Sequence, residues 1–418
     1  EPVRRRRSRV IPIVAGAVAP LIVAGGAAGG VVVRPHGRRG GPHGNGCGGR
    51  RPPSLAACGP SAAGPLVAAA TATAEPRSHH TPGPAIDHLY VLMLENHSKS
   101  SVIGNANAPY LNRLAATNTV ADHYYGVTHP SMPNYIAAIA GDTFGIQDDN
   151  DQNVVNLDRP NLVDQLERAH VTWGAYMQTL PADKLARFGP TLPDGTEASL
   201  YAKKHNPFVL FDSVKNDPAR MAKVKDYSAL ARDLNSRHAP AFVWISPNQC
   251  NDMHGGVYQS IAGHPETPCP YGSTKDDAND AALKQKADQF VKDAVRTITT
   301  SRAWTKRSAI VVVTDENDYT GNEQTGGWEN ADGCCDSPYV AKGDPRVSAD
   351  WPGGTYGGGL VPAIIVRGSG GAHRVDHTPY NHYSLLATIE QNWHLPYLGH
   401  AGDTAGGVRP MWAAFSGR

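Results

Sequence analysis

Glu95-Asn96 and Asp315-Glu316 are two adjacent pairs of oxygen ligands, each set at the end of a short apolar run. The first run is His88-Leu-Tyr-Val-Leu-Met-Leu94, the second Ala309-Ile-Val-Val-Val-Thr314, and the pairs lie 220 residues apart. Carboxylate and amide oxygens suit hard cations such as Mg, Ca, Mn or Fe better than they suit a thiolate metal. A single acidic pair after a strand is ordinarily a helix cap or a solvated turn. Two pairs with the same layout point to one cation site assembled from distant parts of the chain.

Ser131 stands at the entry to a helix expected to end at Gly141, with Pro133 near its first turn. The free amides of a helix N-terminus attract an anion such as phosphate, and a serine there is equally a standard N-cap. The Gly-x-Ser-x-Gly setting of an α/β-hydrolase nucleophile is missing. As a nucleophile Ser131 therefore needs a bound cation, since His129 is the one base beside it in sequence. Asp252 and His254 follow the apolar run 241–246, and an imidazole titrating near neutrality is suited to protonating a leaving alkoxide. The alternative is a loop histidine bonded to a carbonyl. His382, in Pro379-Tyr-Asn-His-Tyr-Ser384, opens the last helix, another place where an anion could dock.

Short, β-branched, all-apolar runs read as strands buried on both faces, which belong to parallel sheets. Strands are expected at 88–94, 171–176, 241–246, 309–314 and 361–366, and helices at 108–116, within 128–141 after a loop that carries Ser131, and at 161–169, 281–301 and 382–394. This alternation predicts an α/β sheet whose site forms beyond the carboxyl ends of its strands. The Gly-rich segment 320–359 is long enough to predict a functional loop.

The overall charge of +1 on 418 residues hides a division. Residues 1–84 carry eleven Arg, no Lys and only Glu1 and Glu75 as acids, leaving a net of −8 in 85–418. A mildly acidic globular part argues against nucleic-acid binding. Arg4-Arg-Arg-Arg7-Ser-Arg9 precedes the uncharged stretch Val10 to Val33, which predicts export and leaves a retained N-terminal membrane anchor open. Gly, Pro, Ala and Arg dominate 34–84, which predicts a disordered linker. Of six cysteines, Cys250 and Cys269 are the expected disulfide pair. The adjacent Cys334 and Cys335 are not expected to bond to each other, because neighbouring residues reach disulfide geometry only with strain.

Five motifs occur in order: Val91-Leu-Met-Leu-Glu-Asn-His-Ser98, His129-Pro-Ser-Met-Pro-Asn-Tyr135, Asn251-Asp-Met-His254, Val312-Val-Thr-Asp-Glu-Asn317 and His382-Tyr-Ser-Leu-Leu-Ala-Thr-Ile-Glu390. Together they resemble the bacterial phosphoesterase family of secreted acid phosphatases and phospholipases C, within the alkaline-phosphatase-like superfamily. The resemblance runs from Ile86 to Leu398. It implies a doubly wound α/β/α sandwich, with a catalytic domain over 85–418 after a leader and linker over 1–84. It further implies that Glu95, Asn96, Asp315 and Glu316 hold a divalent metal cation (Mg, Ca, Mn, Fe or Zn). Ser131 would be both a metal ligand and the nucleophile, forming a phosphoserine that water hydrolyses. By the same resemblance Asn134 would bind phosphate, with His129 as a supporting residue, and Asp252, His254 and His382 would contact phosphate or assist the leaving group. The implied substrate is a small phosphorylated molecule or a phospholipid headgroup, handled outside the cytoplasm. Many of the phospholipases C carry Asn-Arg after the nucleophile motif, where this chain has Asn134-Tyr135. The expectation is therefore a secreted, metal-dependent, acid-phosphatase-like phosphomonoesterase. A phospholipase C-type phosphodiesterase and a phosphoinositide phosphatase are the alternatives.

Overall fold

The structure, a computed structural model, describes residues 85–154, 156–272, 277–317, 331–344 and 351–416. The expected leader and linker at 1–84 lie outside the described residues, as do the stretches 320–330 and 345–350 of the Gly-rich segment.

Eight strands build the central sheet: β1 His88–Leu94, β2 Thr119–Ala121, β3 Trp173–Met177, β4 Val224–Asp226, β5 Phe242–Ser246, β6 Ser308–Thr314, β7 Ala363–Arg367 and β8 Arg374–Asp376. Their spatial order is β8-β2-β7-β6-β1-β5-β3-β4. In β1, Leu89, Val91 and Met93 face one core while Tyr90, Leu92 and Leu94 face the other. That two-residue alternation explains why the run is apolar throughout: neither face meets water. Each such side chain contributes roughly 1.5–3 kcal/mol by leaving solvent.

Helices cover both faces. The helices Ser131–Ala140, Leu162–Arg168 and His382–Asn392 pack on the first core. Pro109–Thr117 and the long helix Ala278–Thr299 pack on the second. The long helix buries Leu283, Ala287, Phe290, Val291, Ala294, Val295 and Ile298, an apolar stripe at helical spacing. Asp277 caps its first turn by accepting from the amides of Asn279 and Asp280. The result is the expected three-layer α/β/α sandwich.

The sheet differs from the expected parallel one at β7, which runs antiparallel to both β6 and β2. The cause lies in the segment before it. Gly358 and Leu360 carbonyls accept from the amides of Asn317 and Lys99, tying this segment to the edge where β1 and β6 end. A strand that starts at that edge has to run away from it. The remaining strands end there, since β1, β3, β4, β5 and β6 are mutually parallel and β2 and β8 oppose β7. One edge of the sheet therefore collects seven strand ends and one strand start.

The disulfide Cys250–Cys269 forms as expected. The expectation that Cys334 and Cys335 stay unbonded to each other is overturned: they are joined in a ring of adjacent residues. The backbone accommodates the ring with Cys335 at φ 54° and Asp336 at φ 67°, left-handed values that extended or right-handed residues would not supply. No helix among the described residues is long and apolar enough to cross a membrane.

Candidate active site

Ser131 is the first residue of its helix, and Pro130 occupies the N-cap position without a side-chain cap bond. The serine is therefore not a cap. Its Oγ lies 3.0 Å from Glu95 Oε2, 3.3 Å from Asn96 Oδ1 and 3.0 Å from Glu316 Oε1. A hydroxyl has one proton and can donate to only one of three acceptors at a time. Three oxygen acceptors around one seryl oxygen are the kind of donor set a hard cation takes, with Ser131 as a fourth oxygen.

The two strand ends supply this set. Asn96 turns the chain at φ 44°, a left-handed value that Asn tolerates, and its amide donates to Asp315 Oδ1 at 3.1 Å. The Asp315 amide in turn donates to the Leu94 carbonyl at 3.0 Å, locking the ends of β1 and β6 together. Glu95, Asp252, Asp315 and Glu316 are all buried. Among the described residues Asp315 Oδ2 has no hydrogen-bond partner, and Glu95 Oε1 and Asp252 Oδ2 have only the single His205 ring between them. Leaving a buried carboxylate oxygen unsatisfied costs several kcal/mol, on the order of what a bound cation restores. Burial, then the neighbouring carboxylate (Asp315 for Glu95, Glu316 for Asp315), holds both well above the ordinary carboxylate range; burial and the Asp315 charge do the same to Asp252. The residues present fit a divalent cation.

The other residues expected at the site take unequal positions. His129 Nδ1 pairs with Glu316 Oε2, which orients that carboxylate. Asn134 spends its amide on the loop before Ser131: Oδ1 accepts from the Val127 and Thr128 amides, and Nδ2 donates to the Thr128 and Pro130 carbonyls. It shapes the approach to the serine and has no donor left over for phosphate. Asp252 Oδ1 accepts from the His254 amide at 2.8 Å, and the His254 ring bonds the Gly255 carbonyl through Nδ1. His382 has both ring nitrogens engaged, Nε2 with the Asp315 carbonyl at 2.5 Å and Nδ1 with the Tyr124 hydroxyl at 3.0 Å. Burial pushes His254 and His382 down to about 4, with the Lys204 charge adding to the effect at His254.

Sequence reasoning missed His205, Lys204 and Asp149. His205 is buried between two carboxylates, Nε2 at 3.2 Å from Glu95 Oε1 and Nδ1 at 3.5 Å from Asp252 Oδ2, and its ring stacks on Tyr135 at 5.4 Å. With Glu95 and His254 it forms a group whose ligand atoms all lie within 4.8 Å of one another. Lys204 Nζ lies 2.6 Å from Asp149 Oδ2, and Asp149 Oδ1 accepts from the Met132 amide next to the serine. Burial alone would lower the Lys204 ammonium, but Asp149, Glu95 and Glu316 hold it well above its ordinary value. The lysine is thus a fixed positive charge beside the acidic cluster. The one signal for Lys204 and His205 was the basic run Lys203-Lys-His205 at the end of the short strand Glu197–Ala202, and Asp149 gave none.

A family model described as the Phosphoesterase family matches residues 104–265 and 270–396. A probable acid phosphatase of Kluyveromyces lactis is 28% identical over 81% of this chain, which spans 65% of that protein's length. A phosphatidylinositol-3-phosphatase of Mycobacterium tuberculosis is 29% identical, covering 79% of this chain and 84% of that protein. A solved structure of a protein in the alkaline phosphatase superfamily from Vibrio parahaemolyticus covers 75% of this chain and 68% of that one, at 11% identity and a TM-score of 0.40.

Proposed function

From the premise that this chain belongs to the Phosphoesterase family, we propose that it is a phosphomonoesterase acting through Ser131 and a divalent cation. Glu95, Asn96, Ser131, Asp315 and Glu316 would hold the cation. The observation that carries this reading is the single Ser131 hydroxyl facing three oxygen acceptors. Bound there, a divalent cation lowers the pKa of the seryl hydroxyl and neutralises charge on phosphate oxygens.

Ser131 Oγ, held between Glu95 and Glu316, releases its proton to solvent and attacks phosphorus. The bond to the leaving alkoxide breaks, and water then hydrolyses the phosphoserine. Lys204 adds positive charge on the side of Asp149. His254 is neutral in the free site above a pH of about 4. A bound phosphate's negative charge raises it toward the range in which it protonates the alkoxide. His129 and Asn134 hold Glu316 and the loop before the serine, and His382 supports Asp315.

Ser131→Ala is expected to lower nitrophenyl-phosphate turnover on the order of a thousandfold or more while leaving the fold intact. Undiminished turnover in that variant removes the nucleophile. A phosphoinositide monoester is the second substrate reading, supported by the mycobacterial relative that this chain spans over most of its length. Comparing nitrophenyl phosphate with a nitrophenyl phosphocholine diester separates both from a phospholipase C-type activity. The two disulfides support an extracytoplasmic site of action.

A further inference from the structure

The bonded pair Cys334–Cys335 has no part in the chemistry above, yet it is joined to the site by side chain and backbone. Asn381 is fully buried, and its Nδ2 donates to the carbonyls of both cysteines, at 3.2 Å and 3.0 Å. Its Oδ1 accepts from the amides of Tyr383 and Ser384, capping the last helix. The first residue of that helix is His382, whose ring bridges the Asp315 carbonyl and the Tyr124 hydroxyl. Asn381 also pairs with Tyr125 in the short parallel ladder that carries Tyr124. His382 itself and its Tyr124 partner therefore both hang on one asparagine, and two of that asparagine's bonds end on the cysteine ring.

We propose that Asn381 is the positioning residue for His382, and that the Cys334–Cys335 disulfide is its redox-sensitive anchor. The ring sets the two carbonyls at 334 and 335 side by side, where a single amide can bond both. A dithiol such as dithiothreitol supplies two electrons and two protons: the sulfur–sulfur bond breaks, two thiols form, and the dithiol closes to its own disulfide. The freed peptide relaxes, the carbonyls separate, and Asn381 loses one donor bond. His382 then no longer holds Asp315 in place. Access is available, because both cysteines line an open cavity of about 700 Å³ with His377, Pro379 and Arg409.

The inference rests on the phosphatase reading for its activity arm only. The full chain is assayed on nitrophenyl phosphate before and after dithiothreitol, with alkylation and mass spectrometry confirming free thiols at 334 and 335. Amide exchange at Tyr383 and Ser384 is followed in parallel. Reduction is expected to lower kcat about tenfold with a smaller change in KM, as for a displaced supporting group. It is also expected to speed exchange at both amides, and reoxidation should reverse both effects. Cys334→Ala with Cys335→Ala should show the lower rate at the outset and no further response to the dithiol, which separates this pair from Cys250–Cys269. Asn381→Asp keeps the helix cap and removes the donor, so it should reproduce the slower rate with the disulfide intact. Unchanged exchange, or unchanged kcat, with both thiols alkylated overturns the proposal. A chain inactive before reduction overturns the phosphatase reading instead, and the exchange arm still decides on the anchor.

Discussion

At the residue scale, the informative feature of the site is an excess of acceptors over donors. Ser131 can satisfy one of three oxygens, Asp315 Oδ2 has no partner among the described residues, and Glu95 and Asp252 share one His205 ring. Lys204 is the cation the chain itself supplies. Replacing it with Met should lower kcat/KM for a phosphate monoester dianion about a hundredfold and for a diester monoanion less, as read in parallel steady-state assays. Equal losses would mean that the lysine serves the fold and not the substrate. His254 gives a pH prediction with a definite sign. Its folded value of about 4 lies below the ordinary 6.5, so protons favour the unfolded chain. The stability tied to its neutral form is present above about 6.5 and is lost as pH falls toward 4. His254→Gln should therefore flatten the acid-side decline of Tm.

At the element scale, the site depends on two chain crossings as much as on strand ends. A Cβ on Gly126 would come within 2.7 Å of the Asp315 carbonyl and 2.8 Å of Gly358 Cα. Gly126→Ala should thus displace Asp315 and weaken cation binding, measured by calorimetric titration with Mn, with little effect on the distant cores. By contrast Leu92→Ala, within β1 and fully buried, should cost about 2–5 kcal/mol in denaturant unfolding because it opens a cavity. Its residual folded fraction should keep normal cation affinity. The strands at 88–94, 242–246 and 308–314 were readable from their apolar runs, since a strand covered on both faces has no polar alternation to confuse it. The three-residue strands at 119–121, 224–226 and 374–376 were not, because so short a run carries no period.

For the whole molecule, burying several carboxylates at one edge links stability to both pH and metal. Glu95, Asp252 and Asp315 sit above their ordinary values, so the metal-free folded state binds more protons than the unfolded one. Their contribution is fully present below about pH 4 and is lost as pH rises through their folded values. A cation replaces those protons. Added Mn or Ca should therefore raise Tm more at pH 7 than at pH 4.5, as followed by scanning calorimetry; an equal gain at both would place the cation elsewhere.

Sequence by itself determined the long buried strands, the helices against them and the acidic pairs that end β1 and β6, because local periodicity and chain adjacency govern each of these. The order of the motifs also carried the family. The family resemblance implied that Ser131 sits with the carboxylates; tertiary structure decided that it does not cap its helix and that Asn134 serves the loop. It also brought His205 and Lys204 to the site, turned β7 around and closed the Cys334–Cys335 ring. The physical reason is common to all of these. The serine's surroundings, His205, Lys204 and β7 are set by contacts between segments far apart in the chain, while the Asn134 bonds and the cysteine ring are local turns, and neither kind leaves a period or a spacing in the sequence.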